Sequence, residues 1–112
     1  MASFDISVGD KTYKMEYTYD SIRKFEDNEG KLTDMREKIY TTTDKLFYVG
    51  LMKYHPNMSY AESAEIAKSA VQEFGVDEVY SALSEKFMMV FSQAGSGKTT
   101  GKTFLISKAA KS

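Results

Sequence analysis

Among its 112 residues the chain has no cysteine, one proline and one histidine. Without cysteine there is no disulfide, no thiolate metal site and no cysteine nucleophile. The lone His55 sits beside Pro56 in a turn and has no second metal ligand of suitable spacing, so it reads as a solvated surface residue. Ser21, Ser59 and Ser84 have no histidine partner that a triad would require. No stretch approaches the roughly 18 apolar residues of a membrane span, which gives no expectation of a membrane partner. The N-terminus, Met1-Ala2-Ser3-Phe4-Asp5, has neither a basic region nor an apolar run, so no signal peptide is expected and the protein reads as cytoplasmic.

Net charge is also scarce. The total of −1 gives no case for nucleic-acid binding through bulk electrostatics. The charge is unevenly spread, however. From residue 93 onward there are four lysines (Lys98, Lys102, Lys108, Lys111) and no acid, leaving 11 basic against 16 acidic residues before them. Hydrophobic content of 42% and aromatic content of 13% are globular values, and the length suits one domain. Residues 1–92 read as a single α+β domain and 93–112 as a flexible tail rich in Gly, Ser, Thr and Lys, with Phe104-Leu105-Ile106 its only apolar island.

What is present is patterned. Phe4, Ile6 and Val8 alternate with polar residues, Gly9-Asp10 intervene, and Tyr13, Met15, Tyr17 and Tyr19 alternate again. A two-residue loop with glycine first predicts a type II′ hairpin, pairing Val8 with Lys11, Ile6 with Tyr13 and Phe4 with Met15. All the apolar residues then share one face, which needs helices or another sheet over it. Asp20 is the expected N-cap of a short helix from Ser21 to about Asn28, with Ile22 and Phe25 inward and Gly30 as terminator. A second short helix is expected over Thr33–Tyr40, placing Leu32, Met35, Ile39 and Tyr40 on one face, and Thr41-Thr42-Thr43 then breaks the run.

The helix expected over Asp44–Tyr54 is apolar nearly all round, so it is either central or covered by a partner. After the Pro-Asn turn, Ser59 and Glu62 form a capping box for a helix over Tyr60–Phe74. Its core stripe reads Tyr60, Ala64, Ala67, Val71 and Phe74, flanked by Ile66 and Ala70, and Gly75 ends it. Asp77 is the expected cap of the last helix, running to about Ser92 with Val79, Tyr80, Leu83, Phe87, Val90 and Phe91 on one arc. Met88 and Met89 fall outside that arc. The fold class is therefore α+β: an N-terminal antiparallel hairpin, then a small bundle of four to five helices.

Gly95-Ser96-Gly97-Lys98-Thr99-Thr100 looks like the end of a phosphate-binding loop. That motif needs a glycine five residues before the Gly-Lys pair, where this chain has Ser92. It also needs a strand before it and more chain after it to hold magnesium. A nucleotide cofactor is not expected. Glu26, Asp27 and Glu29 lack the alternating spacing of a calcium loop and read as a solvated face. No catalytic site is expected.

The order of parts resembles the tail assembly chaperones of long-tailed bacteriophages, especially those of Gram-positive hosts. "FDISVGDKTYKMEYTY" followed by "DSIRKFEDNEGK" is similar to that family's hairpin and short helix ending in glycine. "DKLFYVGLMKYHPNMSYAESAEIA" resembles its apolar helix, Pro-containing turn and capped acidic helix, and "VDEVYSALSEKFMMVF" its closing helix. The resemblance covers about residues 4–91 and contains no catalytic motif. It implies a non-enzymatic role in the host bacterial cytoplasm: binding the tape measure protein, keeping it soluble and helping to recruit tail tube protein, without remaining in the mature virion. It also implies that a longer form, made by programmed frameshift, can exist. From the residues themselves, Tyr48, Met52, Met88 and Met89 are the candidate partner-binding side chains, since exposed apolar and methionine-rich surface marks binding or self-association, a homo-oligomer being possible. The alternatives are a structural head–tail or tube subunit and a nucleotide-binding protein using Gly95–Thr100.

Overall fold

The structure is a computed structural model and describes residues 3–95. It opens with an antiparallel hairpin, β1 (Phe4–Val8) and β2 (Lys11–Met15), paired Phe4 to Met15, Ile6 to Tyr13 and Val8 to Lys11. This is the register that the alternation predicts. Gly9 takes φ +64° while Asp10 keeps a negative φ, the combination a type II′ turn requires. Val8 and Met15 are buried, and Phe4, Ile6 and Tyr13 pack against the core from the same face. β2 stops at Met15, short of the expected alternation, and Tyr19 becomes the exposed first residue of a helix.

That helix, α1 (Tyr19–Asp27), is capped by Thr18 and not by Asp20. Thr18 Oγ1 accepts from the Ser21 amide at 3.2 Å, and Ser21 Oγ accepts from the Thr18 amide at 2.9 Å. A serine takes the place that Glu or Gln usually holds in such a box. At its far end the left-handed step falls on Glu29, at φ +65°. Gly30 is needed for a different reason: a Cβ there would come within 2.6 Å of the buried Phe25 ring.

The expected helix over Thr33–Tyr40 is replaced by one 3-10 turn, Leu32–Asp34, and further turns. Met35 is buried as expected, but Tyr40 is exposed. The next helix, α2 (Ile39–Leu51), runs straight through the three threonines. Thr43 is tolerated because its Oγ1 donates to the Ile39 carbonyl four residues back at 2.7 Å, satisfying a hydroxyl that is wholly buried. Residues 52–54 continue only as turn.

α3 (Tyr60–Phe74) has the predicted bounds and the predicted capping box: Glu62 N donates to Ser59 Oγ at 3.1 Å, and Ser59 N donates to Glu62 Oε1 at 2.8 Å. Its buried line is Ser63, Ala67 and Ala70. Ala64 and Val71 are half-buried, and Phe74 lies outside the core. The small residues of that line let α3 approach α2 closely, and Ser63 is accommodated by donating to the Tyr60 carbonyl at 2.8 Å. Gly75, at φ +90°, is the whole connection to α4 (Val76–Gly95). α4 starts before Asp77, which sits in its first turn and still favours the positive helix end. Val79, Tyr80, Leu83, Phe87 and Val90 are buried along it.

The two-stranded hairpin followed by four α-helices confirms the α+β class. At its centre lies α2, touching α1, α3, α4 and the hairpin. Leu46, Phe47 and Val49 are fully buried, and Leu51 nearly so. The apolar circumference read from the sequence is thus consumed largely inside the domain. Gly50 permits the closest approach: a Cβ there would fall 2.6 Å from Met15 Cε and 3.0 Å from the Tyr17 ring. A glycine-to-alanine change inside a helix normally stabilises by about 1 kcal/mol. Overpacking a filled core costs about 1–3 kcal/mol. Gly50→Ala is therefore expected to lower stability by about 1 kcal/mol, a loss where a free helix would gain, read as a lower urea midpoint with unchanged slope.

Candidate interaction surface

The chain between β2 and α1 is tied to the last turn of α2, where helical carbonyls lack partners of their own. The Glu16 amide donates to the Gly50 carbonyl at 2.9 Å, and Ser21 Oγ donates to the Val49 carbonyl at 3.1 Å. Tyr17 Oη reaches one turn further to the Leu46 carbonyl at 2.8 Å. Burial raises the Tyr17 phenol well above its ordinary pKa, so it stays a donor across the physiological range.

Glu16 is the one buried carboxylate among the described residues. Its Oε1 accepts from Tyr54 Oη at 2.8 Å and its Oε2 meets Lys53 Nζ at 3.1 Å. Lys14 and Lys53 ammonium groups lie 5.2 and 5.6 Å from the centre of the Tyr54 ring. The hydrogen bond from Tyr54, and then that from Lys53, hold the Glu16 pKa below the usual carboxylate value. This cluster closes the end of α2. Both oxygens of its carboxylate are partnered within the cluster.

Of the four sequence-predicted partner residues, the structure separates two from two. Tyr48 is half-buried, its ring edge-on to Tyr60 at 5.3 Å. Beside them burial raises the Asp44 pKa, and burial together with the Asp44 charge raises that of Tyr60. Met52 is likewise half-buried and packed on the core. Met88 and Met89 are 42% and 49% exposed on the outer side of α4. Tyr19, Tyr40 and Phe74 are the exposed aromatics that periodicity had turned inward, and Tyr54 is exposed at its edge.

His55 is not the solvated residue expected. It is half-buried, its ring 6.1 Å from that of Tyr13, and its Nε2 has no hydrogen-bond partner among the described residues. Glu26, Asp27 and Glu29 are exposed at the end of α1. Among the described residues no three His, Asp or Glu side chains gather in a way that could hold a metal ion, and no helix is long and apolar enough to cross a membrane. α4 runs to Gly95, so residues 93–95, expected to open the tail, are its last residues; the rest of the phosphate-loop-like segment and of the tail read from the sequence, 96–112, lies outside the described residues.

The Glu16 cluster makes a pH dependence predictable. A carboxylate with a lowered folded pKa adds stability above its unfolded pKa, and that contribution is lost as pH falls through the folded value. Glu16→Gln is therefore expected to be less stable than the wild type near neutral pH, with the difference shrinking to nothing in acid. Urea midpoints measured over a pH series check it.

Comparison with curated proteins finds no match. Comparison with solved structures finds none either. A family model described as "Domain of unknown function (DUF5055)" matches residues 1–101, nearly the whole chain and every element of the fold, and the chain belongs to that family.

Proposed function

We propose that this protein is a non-enzymatic assembly chaperone of the phage tail class, which covers apolar segments of a tape measure protein and keeps them soluble while tail tube protein is recruited. The observation that carries the reading is that the consecutive Met88 and Met89 are both exposed on α4, outside its buried stripe. Methionine side chains are flexible and polarizable, and they adapt to partners of varied shape. Exposed apolar surface of this kind favours capture of another apolar chain. The order of elements, with the apolar helix and the capped helix after it, supports the same class. Since Tyr48 and Met52 are engaged within the domain, the proposed contact surface centres on the α4 pair.

Co-expression with the tape measure protein encoded in the same genome tests this. The wild type is expected to raise the soluble fraction of that protein. Met88→Ser combined with Met89→Ser is expected to abolish the gain, while leaving the chaperone's own stability within about 0.5 kcal/mol per exposed substitution. A tape measure protein whose solubility the wild type does not change overturns the reading.

A further inference from the structure

A second surface lies between the hairpin turn and α3. It is a groove of about 550 Å³ lined by Val8, Tyr13 and Ile66 below and by Asp10, Glu65 and Glu73 at the rim. Lys11 is its single basic lining residue. Glu73 also fixes the groove's shape, because its Oε1 accepts from the Gly9 amide at 2.9 Å and so ties the hairpin turn to α3. Three carboxylates around an apolar floor suit a segment with apolar side chains between flanking cations.

Outside the described residues the sequence contains one such segment: Lys102-Thr103-Phe104-Leu105-Ile106-Ser107-Lys108. It sits in a stretch from residue 93 that carries four lysines and no acid, opposite a remainder with 16 acids and 11 bases. Reach permits the pairing. The end of α4 is 20 residues, or about 30 Å, from the point where α4 leaves α3 next to Glu73. Nine residue steps from Gly95 to Phe104 also span about 30 Å when extended. The apolar island can therefore return along the whole of α4.

We propose that the groove between the hairpin turn and α3 is the docking site of the chain's own Lys102–Lys108 segment, with Phe104, Leu105 and Ile106 on the Val8–Tyr13–Ile66 floor and the lysines at the Asp10, Glu65 and Glu73 rim. This inference does not depend on the chaperone reading.

The absence of native cysteine makes crosslinking a clean test in the full-length chain. Ser69 lines the groove and Ser81 is exposed on α4 away from it. Ser69→Cys with Leu105→Cys is expected to oxidise to an intramolecular disulfide about tenfold faster than Ser81→Cys with Leu105→Cys, because docking raises the local concentration of the tethered thiol. Adding Lys102→Glu and Lys108→Glu is expected to remove the difference. Equal rates for the two pairs, or a Ser69 rate untouched by the glutamates, overturns the docking. A crosslinked dimer in place of a crosslinked monomer overturns the same-chain assignment and gives the groove to a second copy.

Discussion

The fold depends on how residues Met15–Ser21 dock onto the last turn of α2. A helix end leaves backbone carbonyls unpaired, and leaving them so inside a core is costly. Here the Glu16 amide and the Ser21 hydroxyl take the Gly50 and Val49 carbonyls. The first is a donor from the chain that links hairpin to helix, the second from the first turn of α1. Gly50 has no side chain to prevent it, and Met15 and Tyr17 fill the space a Cβ would need. One contact therefore joins the sheet, α1 and α2. Tyr17 then carries the connection to α4 through its edge-on packing with Phe87 at 5.3 Å, and Phe87 continues to Phe25 at 5.0 Å.

That dependence explains what could be read from the residues alone. The hairpin register followed from a strict alternation and a glycine-led turn, both local signals. The bounds of α3 followed from Ser59, Glu62 and Gly75, again local. The failures share a cause: tertiary contacts overrode local preference. Three consecutive threonines look like a helix breaker, yet Thr42 and Thr43 are buried in α2, where neighbours on several sides compensate for weak propensity. Tyr19, Tyr40 and Phe74 fit apolar periodicities but sit where no element among the described residues covers them. Thr18 as a cap could have been found from the Thr18–Ser21 spacing, but Asp20 was the stronger residue type at nearly the same place. The burial of Glu16 had no signal in the sequence, since its partners Lys53 and Tyr54 lie far along the chain.

For function, the consequence is one of subtraction. An almost wholly apolar helix suggested surface offered to a partner, and the structure shows most of that surface satisfied by the hairpin and three other helices. Two of the surfaces left over are definite: the consecutive exposed methionines of α4, and an acid-rimmed groove beside the hairpin turn. The first has the adaptable chemistry proposed for holding an apolar client, and the second has charge that selects for lysine. Neither requires a reactive group.

The methionines themselves report on this division, because sulfur oxidation by dilute peroxide follows access to solvent. Peptide mass analysis of the native, full-length protein over a time course of oxidation is the most direct measurement. Among the described residues Met88 and Met89 are expected to oxidise first, Met52 more slowly, and Met15 and Met35 only as fast as the protein unfolds, in line with their 42%, 49%, half-buried, 0% and 5% exposures. Oxidation of Met15 or Met52 as fast as Met88 would contradict an α2 that is central and packed against the hairpin and the other helices of this domain.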